Sequence, residues 1–151
     1  MNYFIKGFFK CFTLMEIMVV MGIVITLVVL LVPSVLKARI TSNEAAAIAN
    51  LKSLYNVLQL YYMNNNNQYP EELTDLIPPN SNPGYIDSEL AQGLKLGYLY
   101  DYTYVDEDSF YINADPKSPG KTGNRYFYLD ESGIIRQSLE GEADENDPPV
   151  N

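Results

Sequence analysis

The chain has no histidine and a single cysteine, Cys11. One thiol cannot form a disulfide within the chain, and without imidazole there is no His/Cys metal site and no Ser-His or Cys-His catalytic pair. Charge is absent over one long stretch as well. From Ile17 to Leu36, 20 residues in a row, no side chain is charged. At 1.5 Å per residue a helix of that length covers about 30 Å, the thickness of a bilayer's hydrocarbon core. The run exceeds the ~7–15 residues of a secretory signal, and Pro33-Ser34-Val35-Leu36-Lys37-Ala38 is a poor cleavage site. It is read as a membrane-spanning helix. Cations are scarce after Arg39, where six Lys and Arg stand against 18 Asp and Glu, a net −12. Phosphate contacts need clustered Lys and Arg, which argues against direct nucleic-acid binding by this part.

The 151 residues leave room for one domain plus an anchor. Past Pro33, residues Ile40, Ala47, Ile48, Leu51, Leu54, Tyr55, Leu58, Tyr61 and Tyr62 recur at spacings of three and four, one stripe of an amphipathic helix. Asn43, Glu44, Asn50, Lys52, Ser53 and Asn56 fall largely on the other side. The pattern predicts one rod from about Leu14 to Met63, roughly 75 Å long. Pro33 removes the bond to the Val29 carbonyl and is expected to bend it. Asn64 to Asn67 end the rod, and Tyr69-Pro70-Glu71-Glu72-Leu73 starts a short helix with proline in its first turn. Pro78 to Gly84 is loop, and Tyr85 to Gln92 forms a further helical turn ended by Gly93. In Tyr98 to Val105 tyrosine falls on every second residue, the period of a strand. Phe110 to Asn113 pairs back, and Arg125 to Leu129 with Ile134 to Gln137 makes a second hairpin. The fold class is α+β: a long N-terminal helix packed against an antiparallel meander of three or four strands. The tyrosines of Tyr98 to Tyr104 are read as cross-strand packing rather than a carbohydrate platform.

One carboxylate stands out. Glu16 lies directly before the uncharged run, where a charge beside hydrocarbon costs free energy unless it is paired. A lipid attachment at Cys11 is set aside because Lys6 and Lys10 leave no apolar segment ahead of it. The order of a basic leader, Phe12-Thr13-Leu14-Met15-Glu16 and an uncharged helix resembles the N-terminus of type IV pilins and type II secretion pseudopilins. The likeness extends from Lys6 to about Pro70 and includes Pro33, Lys37-Ala38-Arg39 and Tyr69-Pro70. It implies cleavage by a prepilin peptidase between Cys11 and Phe12 and N-methylation of Phe12. Glycine is usual before that cut, and Cys11 departs from the pattern. Cleavage frees an α-amine, largely cationic at neutral pH, for Glu16 to pair with in its own subunit or a neighbour. The helix partly unwinds near Pro33 in such filaments.

The resemblance further implies a pilin-like fold and a structural subunit, not an enzyme, polymerised into a type II secretion pseudopilus or a type IV pilus (fimbrium). Its partners are the peptidase, identical or related pilin subunits in a helical filament, and an inner-membrane assembly platform. Before assembly it spans the inner membrane once with a cytoplasmic N-terminus, and afterwards it lies in a periplasmic or extracellular filament. The corresponding divisions are 1–11 leader, 12–36 transmembrane and assembly helix, 37–68 amphipathic half, 69–139 globular region with the sheet, and 140–151 an acidic flexible tail. No cofactor is expected. Asp106-Glu107-Asp108 and Asp144-Glu145-Asn146-Asp147 offer oxygen ligands for calcium, but solvated acidic loops are the default. Where major pseudopilins carry a Gly-x-Asp-Gly-like calcium turn, this chain reads Leu129-Asp130-Glu131-Ser132-Gly133. The alternative from another class is a single-pass, membrane-anchored extracytoplasmic enzyme or binding domain that does not polymerise.

Overall fold

The computed structural model describes residues 12–150, so the expected leader and Cys11 lie outside the described residues. The chain divides into two units, Met1–Leu36 and Lys37–Asn151. Helix α1, Leu14–Asn64, carries the described secondary structure of the first unit and opens the second. It stays helical on both sides of Pro33.

In the second unit the predicted stripe is the buried face of α1. Ala47, Leu51, Leu54 and Leu58 join Tyr98, Phe110, Ile112, Phe127 and Leu129 in one core, with Ile48, Tyr55, Tyr61 and Tyr62 packed around it. Each fully buried leucine contributes about 1.5–3 kcal/mol relative to exposure. The helix ends where the asparagines begin. Asn66 and Asn67 adopt φ of 56° and 61°, and the Asn67 amide donates back to the Tyr62 carbonyl at 3.1 Å. Asparagine tolerates that left-handed turn better than most residues. The next helix starts later than expected, as a 3₁₀ helix at Leu73–Leu76, after Pro70 rather than on it. Tertiary contacts claim the residues before it: the Tyr69 amide donates to the Glu107 carbonyl, and the Pro70 carbonyl accepts the Tyr102 hydroxyl. Helix α2, Ser88–Ala91, is capped by the Asp87 carboxylate, which accepts the Leu90 amide at 3.0 Å.

Five strands follow: β1 Leu94–Lys95, β2 Tyr98–Asp106, β3 Ser109–Pro116, β4 Tyr126–Asp130 and β5 Ile135–Ser138. They form one antiparallel meander in chain order. The extra strand is β1, joined to β2 by Leu96 and Gly97, both at positive φ as a tight hairpin turn requires. Strand β3 runs to Pro116, beyond the expected Asn113. The alternating tyrosines of β2 make its inner face. Tyr98, Tyr100, Tyr102 and Tyr104 stand opposite Pro116, Ala114, Ile112 and Phe110, while Leu99, Asp101 and Val105 are exposed. Three of their hydroxyls are bonded: Tyr98 donates to the Arg125 carbonyl, Tyr102 to that of Pro70, and Tyr100 accepts from Asn50. A Cβ on Gly123 would sit 2.1 Å from the Tyr98 hydroxyl oxygen, so the loop passes over that ring only because the residue is glycine.

Two sequence expectations are corrected. Glu44, placed on the solvent side of α1, is buried at 7 % exposure, and its carboxylate accepts the Asn124 amide (2.9 Å) and Arg125 Nε (2.8 Å). Arg125 also reaches Gln137, so one acid ties α1, the loop before β4 and β5 together. The acidic tail, expected to be flexible, is anchored. Asn113 Nδ2 donates to the Ala143 carbonyl, Arg136 to that of Asp147, the Gln137 amide to that of Pro148, and the Val150 amide to that of Ile135. The reason is non-local: strand β5 is an edge whose free backbone groups take Pro148 and Val150 as partners.

Candidate functional site

The N-terminal unit begins with a helix cap. Thr13 is the last non-helical residue, and its hydroxyl accepts the Glu16 amide at 3.2 Å. Its carbonyl accepts the amides of Glu16 (3.1 Å) and Ile17 (3.3 Å). Glu16 is therefore the third residue of the helix, within the turn where unsatisfied amides gather partial positive charge. The spacing Thr13-x-x-Glu16 is the capping-box pattern, a local signal present in the sequence.

Magnitude separates the two roles. A surface carboxylate in a first turn gains about 0.3–1 kcal/mol from the helix dipole. Leaving a charge unpaired in an apolar bundle costs several kcal/mol. The cap explains why an acid is favourable here while the helix end is in water. It does not offset burial of that acid among other helices, which needs a cation.

Phe12 precedes the cap and is 68 % exposed. Pro33 lies 17 residues beyond Glu16, about 25 Å along the axis, so the two do not share one site. From Ile17 to Leu36 the side chains of Ile17, Met18, Val24, Ile25, Leu27, Val29, Leu31, Val35 and Leu36 are all exposed. The Thr26 hydroxyl is satisfied within the helix by the Gly22 carbonyl at 2.5 Å. This stretch has a mean hydropathy of 2.9 and is not buried at all, and α1 is long and apolar enough to cross a membrane. Such a surface needs hydrocarbon or other apolar helices around it.

The acidic turns do other work. Asp106 Oδ1 accepts the Asp108 amide and the Ser109 hydroxyl, which shapes the β2–β3 turn. Asp130 does the same for Ser132 in the β4–β5 turn. Among the described residues no three Asp, Glu or Cys side chains come together as a metal-binding group. A polar cleft opens at the end of α1 between Tyr61, Tyr69, Tyr104, Glu71, Asp75 and Glu107, with no cysteine or serine on its wall. No family model matches the chain, and no curated protein matches it.

Proposed function

We propose that the chain is a prepilin-like filament subunit, cut between Cys11 and Phe12 by a prepilin peptidase, N-methylated on Phe12 and polymerised into a type II secretion pseudopilus or a type IV pilus. The observation that carries this reading is the sequence of features along α1: a capped acid at Glu16, then an uncharged run to Leu36 whose described side chains are exposed. Removal of residues 1–11 places a new α-amine one residue ahead of the cap. That amine is the cation Glu16 lacks when helices bundle, and the pair makes side-by-side packing tolerable at one register. The apolar surfaces from Ile17 to Leu36 pack against one another in the filament, and the acidic C-terminal unit stays in water. The subunit is then a building block, with the peptidase, the inner-membrane assembly platform and other pilin subunits as partners.

The test is Glu16→Ala in cells that assemble the filament. Membrane levels stay normal, while incorporation into sheared filaments falls roughly tenfold or more, as loss of about 1.4 kcal/mol or more of pairing requires. Normal incorporation of the variant overturns the pairing role.

A further inference from the structure

The segment around Ala143 lies on the outer face of the sheet, opposite α1, and Pro148 to Val150 then pair along the edge strand β5. Ala143 is 2 % exposed, and its carbonyl holds Asn113, itself buried, at 2.9 Å. Farther along, Arg136 Nη1 donates to the Asp147 carbonyl at 3.1 Å, and the Val150 amide donates to Ile135 at 2.8 Å. These anchors all use backbone groups of the segment. Its own charges do not help: Glu140, Glu142, Asp144, Glu145 and Asp147 form no ion pair among the described residues.

Beside Asn113 on β3 stands Asp115, whose buried Oδ1 accepts no hydrogen bond among the described residues. The charged groups that bear on its carboxyl are Glu142, from the crossing segment, and Asp101, from β2; both are negative and neither is a cation. A buried carboxylate oxygen without a donor is costly, whereas a protonated carboxyl is neutral and no longer repels Glu142.

We propose that residues 139–150 are a proton-linked strap, closed over the sheet while the Asp115 carboxyl holds its proton and released when that carboxyl ionises. Burial, then Glu142 and Asp101, push this carboxyl above the usual range in the closed state. Opening removes the Glu142 charge and admits water, so the open state holds the proton less tightly. Linkage then sets the sign: closure is strongest at low pH and is lost as pH rises through the closed-state value. Asp144 and Asp147 accept amides at 2.7 and 2.9 Å, bonds internal to the strap that do not involve Asp115. A strap that tightens on acidification points to Asp115 as the controlling group. Release uncovers Asn113 and frees Arg136, turning a sealed face into an accessible one.

Hydrogen exchange of the full-length protein in detergent micelles, corrected for the intrinsic pH dependence of exchange, tests this. Protection of residues 141–150 is expected to fall severalfold as pH rises from about 4, the ordinary aspartate value, to about 7. Asp115→Asn keeps protection high and flat across that range, and Glu142→Gln shallows the slope. A wild-type profile that is flat or rises with pH overturns the proposal, as does an Asp115→Asn profile that keeps the wild-type slope. Should Asp115→Asn fail to fold, an unchanged slope in Glu142→Gln overturns it equally.

Discussion

Glu44 illustrates what a single residue decides in this chain. Its two charge-assisted bonds, to the Asn124 amide and Arg125 Nε, join segments 80 and 81 residues apart. Glu44→Ala removes both and leaves the amide and the guanidinium short of a partner. Because the arginine side chain remains 30 % exposed, water recovers part of the loss, and the cost is about 2 kcal/mol. Urea unfolding measures it, and a midpoint equal to wild type would show that the tie is not structural. At the processing site, Cys11→Gly restores the residue usual before a prepilin cut. Faster appearance of the shortened chain in a time course is expected, and equal rates would show that the cysteine is no obstacle.

At the scale of elements, what could be read ahead followed from period. The stripe of α1 and the alternating tyrosines of β2 repeat every 3.6 and 2 residues, so each announced its buried face. What was missed has no period. Strand β1 is two residues long, and Glu44 looks like any solvent-facing helix acid until Arg125 arrives from far along the chain. The tail is acidic throughout, and its docking depends on backbone groups of β5 that composition does not describe. Thr13 is legible as a cap in the sequence itself, where the capping pattern and the prepilin-like pattern overlap on Glu16.

The tyrosine strand carries its own pH signature. Burial is the first cause pushing the hydroxyls of Tyr98, Tyr100 and Tyr102 above the ordinary value near 10. The folded state thus holds these protons more tightly than the unfolded chain. The stability they contribute is complete below about pH 10 and is lost as pH climbs toward the folded-state values. Phenolate absorbance of these residues should rise together with unfolding, above pH 10. Their ionisation near the ordinary value while the sheet stays intact would contradict this burial.

For the molecule as a whole, two surfaces of opposite character must be reconciled in one chain. The run from Ile17 to Leu36 is uncharged, with its described side chains exposed, and the part beyond Arg39 carries a net −12. A lipid bilayer satisfies the first surface for a solitary molecule, and a bundle of like helices satisfies it for a polymer. In the proposed polymer, cleavage supplies the cation that Glu16 pairs with when the helices bundle. The mass of the mature chain purified from the membranes or filaments of its own cells therefore bears most directly on the proposed function. A chain beginning at N-methylated Phe12 is expected; a chain that retains Met1 to Cys11 would contradict it.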